Sequence, residues 1–206
     1  MSKLSARWVP RMLTPDQKLA RLETSRTLLT RFQADRADFF RRFVTQDETW
    51  VHHFEPESKL QSKQWKHAGS PPPKKFKQIA TAKKVMASVF WDSEGVLMID
   101  YHQKGQTIIG EYYASKLCQI KEAIKEMCRG KLRAGVLLLQ DNAPVLTAQV
   151  AVTEAANCGF ELLPHAPYSP DLAPSDFYQF PKLKSELRGC HFRSDDDVIY
   201  AVEAYL

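Results

Sequence analysis

Three aspartates have the residue type and the spacing for metal chemistry. They are Asp47 in Thr45-Gln46-Asp47-Glu48-Thr49-Trp50, Asp141 in Leu137-Leu138-Leu139-Gln140-Asp141-Asn142, and Asp176 in Ala173-Pro174-Ser175-Asp176-Phe177. Each of the first two ends an apolar or β-prone run, where a side chain emerges at a sheet edge, and the third closes a proline-rich loop. Between Asp141 and Asp176 lie 34 residues, room for a helix, a strand and a return loop, so all three carboxylates can converge. Hard divalent cations such as Mg²⁺ take oxygen ligands and keep several waters, so such a site serves metal-assisted phosphoryl transfer without a protein nucleophile. Taken singly, Asp141 also reads as an Asx turn, and Asp176 as a carboxylate stabilised at a helix N-terminus.

The elements that must position these residues follow from local pattern. Thr14-Pro15-Asp16-Gln17 combines an N-cap, a proline at the first helical position and a capping-box glutamine. Leu19, Leu22, Leu29 and Phe32 follow at helical spacing, which predicts an amphipathic helix from 15 to about 34, with continuation toward Phe43. A strand bearing Asp47 spans about Phe43 to His53. Lys83 to Trp91, the turn Asp92-Ser93-Glu94-Gly95 and Val96 to Tyr101 read as a hairpin. A helix covers 110–128, and the apolar run Val136 to Gln140 is a strand buried on both faces that delivers Asp141. Thr147 to Asn157 is helical and Phe160 to Leu163 a short strand. Prolines 164, 167, 170 and 174 then bar regular structure until a helix opens near Ser175 or Asp176. Active residues in such α/β sheets gather at strand carboxyl ends.

Three stretches in order resemble the mariner-type transposases, a family that includes the transposase-derived part of SETMAR-like proteins. Val44-Thr45-Gln46-Asp47-Glu48-Thr49-Trp50, Gln140-Asp141-Asn142-Ala143-Pro144 and Tyr168-Ser169-Pro170-Asp171-Leu172-Ala173-Pro174-Ser175-Asp176 look like the surroundings of that family's three catalytic acids, at the family's own 34-residue spacing. Trp8-Val9-Pro10-Arg11-Met12-Leu13 is similar to its interdomain linker, with Arg11-Met12 where the family usually has His-Glu. The resemblance implies an α/β, ribonuclease H-like domain with a mixed central sheet flanked by helices. It implies Asp47, Asp141 and Asp176 as catalytic and metal-binding residues, two Mg²⁺ or Mn²⁺ ions, and cleavage and transfer of DNA strands at transposon ends in the nucleus by a homodimer. In domain terms, residues 1–14 would be the linker remnant, with Trp8, Val9 and Pro10 contributing to dimerisation, and 15–206 the catalytic domain; the amino-terminal helix-turn-helix modules would be absent. Leu146 stands where the family has a histidine, and Ala166 where it often has a proline. The loss at 146 is expected to lower catalysis, and Leu146→His to raise it.

Charge agrees with a nucleic-acid partner. The net charge is +5, but residues 1–84 carry 18 Lys/Arg against 8 Asp/Glu while residues 85–206 carry 11 against 16. A basic segment beside an acidic core suits a nuclease, with cations on the phosphate backbone and acids at the scissile bond. Residues 59–84 hold eight lysines, Trp65 and Pro71-Pro72-Pro73, which predicts an extended arm whose Lys63, Lys66, Lys74, Lys75 and Lys77 engage phosphates. In the family this stretch matches a clamp-like extension toward a partner subunit and DNA. Cys118, Cys128, Cys158 and Cys190 form no C-x-x-C pair, which points away from a zinc cluster. With no apolar run near 18 residues and no signal-peptide core, the chain reads as soluble and intracellular with reduced thiols. Two other classes fit the same residues: a decayed or domesticated DNA-binding relic with little turnover, and a dimerisation module built on the linker and the lysine-rich arm.

Overall fold

A computed structural model describes residues 12–102, 105, 107–127 and 130–206; the linker-like Trp8, Val9 and Pro10 lie outside these residues. Helix α1 (Pro15–Ala34) starts as predicted. The Thr14 side chain accepts from the Gln17 N–H and the Gln17 side chain from the Thr14 N–H. It does not run on toward Phe43, because Asp35 adopts an extended conformation and caps a separate helix, α2 (Arg36–Arg42), by accepting from the Asp38 N–H. The predicted apolar stripe is not core: α1 buries no residue, and Leu19, Leu22 and Leu29 are about half exposed. Besides Leu28, two ion pairs fasten α1: Arg21 reaches Asp171 and Arg31 reaches Glu161.

Strands β1 (Phe43–His52), β2 (Lys84–Trp91) and β3 (Val96–His102) form an antiparallel meander. After α3 (Gly110–Met127) and the short α4 (Lys131–Ala134) comes β4 (Val136–Leu139), buried at every position. Helix α5 (Gln149–Asn157) and strand β5 (Phe160–Leu162) follow. β4 lies parallel to β1 and β5 parallel to β4, so the order is β3-β2-β1-β4-β5 and the sheet is mixed, as expected. A 3₁₀ turn (Pro170–Leu172) and a π-helical turn (Ser175–Gln179) lead into α6 (Phe180–Leu187). The chain then adds α7 (Asp195–Tyr205), which sequence reasoning did not anticipate although Ser194 and Asp197 form a capping box.

The layers follow from which side chains each strand turns outward. On one face α3 and α5 pack on Val44, Phe90, Leu138 and Phe160 through Leu117, Ile120 and Ile124. On the other, Leu183, Val198 and Val202 of α6 and α7 cover Val51 and Val85, Phe180 covers Ala87 and Val89, and Leu28 and Phe39 of α1 and α2 pack against Leu137 and Leu139. A buried ion pair, Lys131 Nζ to Asp92, ties α4 to the β2–β3 turn. Residues 55–83 contain turns but no helix or strand, and carry Trp65, Phe76 and Ile79 fully or largely exposed. Among the described residues no helix is long and apolar enough to cross a membrane.

Candidate active site

Strand register sets the first two aspartates. Thr45 pairs with Leu139, where β4 ends. Asp47 and Asp141, each two residues further on, therefore stand at one level of the sheet. Asp47 is not at the end of its run as expected but in the middle of β1, which continues along β2 with Asp47 opposite Val89. Alternation turns Asp47 to the face of Val51, which α6 covers, and Glu48 to the α3 face beside Ser88 and Asp100. Asp141 sits beyond the end of β4 within reach of both. It also makes the Asx turn, accepting from the Ala143 N–H at 2.9 Å.

Asp176 is held from two sides. It belongs to the π-helical turn, a form that recurs at functional sites. Its neighbour Ser175 is fully buried and accepts from Trp91 Nε1 at 2.9 Å, while Phe180 packs on β2. Upstream, the Arg21 guanidinium donates to both carboxylate oxygens of Asp171 at 2.9 and 2.8 Å and to Ser169 Oγ at 2.6 Å. Tyr168, just before this clamp, has a φ of 51°, the left-handed region that costs a non-glycine residue energy. The proline-rich loop is thus pinned to α1 before it delivers Asp176.

Electrostatics joins the three carboxylates. Burial, then the charges of Asp176 and Asp141, pushes Asp47 from 3.8 up to about 8 against the opposing pull of Lys184. Burial and then Asp141 raise Asp176, with Lys184 and His165 opposing. Glu48 is raised by burial and then by Asp141, and burial lowers His165 against the attraction of Asp141 and Asp176. Glu48, His165 and Lys184 were missed as site residues. Lys184 follows Asp176 by eight residues, about two helical turns, the only one of the three with a usable spacing signal. A groove lined by Asp47, Trp50, Asp176, Lys184 and Arg188 opens here, and Asp141 lines a second one with Asn142, Leu146 and His165.

Carboxylates are the ligand type a hard divalent cation takes, and such an ion relieves repulsion between like charges. The three aspartates do not close to within 4.8 Å of one another. Among the described residues only Cys118, Glu154 and Cys158 do, so two of the thiols that looked scattered in sequence are neighbours. Leu146 is buried in the core with Leu117 and Phe160. A histidine there would set an imidazole against that core, so the substitution expected to help catalysis carries a stability cost. Lys63, Lys66, Lys74, Lys75 and Lys77 are all exposed on the arm, and none lines the aspartate grooves. Lys75 pairs with Glu57.

Comparison with known proteins gives concordant similarities. The family described as Transposase (partial DDE domain) matches residues 55–134. The human histone-lysine N-methyltransferase SETMAR is 32% identical over 201 residues, covering 97% of this chain and 29% of that protein. The Mariner Mos1 transposase of Drosophila mauritiana is 34% identical over 194 residues, 93% of this chain and 55% of its own length. The chain thus spans about half or less of these relatives. The crystal structure of the Mos1 mariner paired end complex with Mn superposes with a TM-score of 0.84 at 31% identity, over 100% of this chain and 59% of that one.

Proposed function

The chain belongs to the mariner-type transposases and has their ribonuclease H-like catalytic fold, and on that footing we propose that it cleaves and transfers DNA strands at transposon ends through Asp47, Asp141 and Asp176. The observation that carries this reading is the convergence of the three carboxylates from β1, the end of β4 and the π-helical turn, close enough that Asp176 and Asp141 help drive Asp47 up to about 8. We take residues 15–206 as the catalytic domain and 1–14 as linker, with transposon-end and target DNA as substrates, a homodimer as the working unit and the nucleus as its place. The Mn in the Mos1 complex supports a divalent cofactor, Mg²⁺ or Mn²⁺, which we take as two ions.

Bound there, the cations would activate a water or a DNA 3′-hydroxyl and neutralise the leaving oxygen of an in-line displacement. The chain's residues supply the rest. The three aspartates hold the cations once ionised. Lys184 draws Asp47 and Asp176 toward their charged forms. Arg21 and Trp91 fix the loop and turn that aim Asp176. The mutual electrostatic influence of Asp47, Asp141 and Asp176 supports an enzyme over a relic. Plasmid nicking with Mn²⁺ tests the reading: the intact chain should nick and Asp141→Ala should not. Calorimetry with Mn²⁺ should show binding that Asp47→Ala or Asp176→Ala weakens at least tenfold. Unchanged affinity in both variants would refute the shared site.

A further inference from the structure

We propose that Cys118, Glu154 and Cys158 form a second metal site, selective for a thiophilic divalent cation of the Zn²⁺ class, that staples α3 to α5. The site goes beyond the nuclease reading and does not depend on it, since α3 and α5 cover the opposite face of the sheet from α6.

Cys158 caps the end of α5, four residues after Glu154, so both fall on the side of that helix that meets α3, where Cys118 stands. Cys118 Sγ lies 3.0 Å from Glu154 Oε1 and Cys158 Sγ 3.8 Å from the same oxygen, and all three ligand atoms fall within 4.8 Å of one another. A tetrahedral Zn²⁺ with Zn–S of about 2.3 Å and Zn–O of about 2.1 Å has S···O edges of about 3.6 Å and an S···S edge of about 3.8 Å. The two S···O distances bracket that edge, so small rotamer adjustments complete the triangle. Asn157 Nδ2 donates to the other oxygen, Oε2, at 3.1 Å, the outer contact that steadies a ligating carboxylate. Cys118 is exposed, which leaves the fourth position to water.

Two sulfurs select Zn²⁺ over Mg²⁺ or Mn²⁺, which prefer all-oxygen sites. Binding must displace thiol protons. Affinity therefore climbs with pH.

Co²⁺ is the spectroscopic probe, titrated into the full chain under a non-chelating reductant and then displaced by Zn²⁺. The wild type should give thiolate-to-cobalt charge transfer and the d–d bands of a tetrahedral ion, more strongly at pH 8 than at pH 6. Asp141→Ala and Cys190→Ser should keep those bands. Cys118→Ser should abolish the charge transfer, and Glu154→Gln should weaken binding about tenfold. Cys118 is exposed and Glu154 half-buried, so an unaltered unfolding transition can be verified in each. Absence of sulfur charge transfer in the reduced wild type would overturn the site, as would its persistence in Cys118→Ser.

Discussion

On the proposed reading Asp47 is the residue on which the chemistry turns, because burial and the neighbouring carboxylates make its charge costly. Its folded pKa, about 8, lies above the ordinary 3.8, so the folded state binds the extra proton between those values. The stability this contributes is full below about pH 4 and is lost as pH rises through 8. Glu48 and Asp176 are raised too and add with the same sign. His165 is lowered, which costs stability only as pH falls below its ordinary 6.5. Between pH 6.5 and 8 the carboxylates dominate, and in EDTA the Tm of the wild type should fall across that range. Asp47→Asn should flatten the fall and make the protein the more stable of the two at pH 9; equal slopes would show that Asp47 is not the buried, repelled acid described. At position 146 packing decides: Leu146→His should cost roughly 2 kcal/mol in urea unfolding, the price of an imidazole in an apolar core. The three aspartates were legible because each sits in its own local pattern. Glu48, His165 and Lys184 were not, since nothing marks them until strand register and helix packing bring them to the acids.

Two polar ties between elements carry more weight than the leucine spacing of α1 suggested. That spacing predicted core, but the helix lies outermost on the sheet, where its leucines stay half exposed and Arg21 does the fastening. An exposed ion pair contributes at most about 1 kcal/mol to stability, yet this one fixes the loop that aims Asp176, and misplacing a catalytic group by about 1 Å can cost about a hundredfold in rate. Arg21→Ala should therefore lower Mn²⁺-dependent nicking at least tenfold while moving Tm by only a few degrees. Arg21→Lys should not restore it, because an ammonium cannot bridge both Asp171 oxygens and Ser169. The buried Lys131–Asp92 pair should behave in the opposite way. Lys131→Met leaves the carboxylate of Asp92, fully buried, without its counter-charge, and should cost about 3–5 kcal/mol in urea unfolding. Capping at Thr14, the β2–β3 turn and the apolar run of β4 were readable in sequence because each is a local device. The break at Asp35, the delayed start of α5 and helix α7 were settled by tertiary packing and by caps that short-range periodicity does not register.

At the scale of the molecule the charge is divided, with the basic first 84 residues set against an acidic remainder. The exposed arm concentrates the cations: of the eight lysines between 59 and 84, all but Lys84, which opens β2, lie in a stretch without helix or strand. A segment of that kind presents ammonium groups but no element that enters a groove to read base edges, so it should hold DNA through phosphates and be indifferent to sequence. If Lys63, Lys66, Lys74, Lys75 and Lys77 each neutralise one phosphate, log K should fall with log salt at a slope of about −4 to −5, a loss of several hundredfold between 50 and 200 mM. Lys75 must first leave Glu57, so its share should be the smallest. Changing the other four to Ala should flatten the slope by about 3 to 4, while changing Lys75 alone should flatten it by less than 1. Calorimetric Mn²⁺ binding should be the same in all these variants, since none of the five lysines lines the aspartate grooves. Salt titrations on two unrelated duplexes decide the matter. Parallel lines of equal affinity are expected, and a strong preference for one duplex, or a slope unchanged by the fourfold substitution, would move the DNA contact away from the arm.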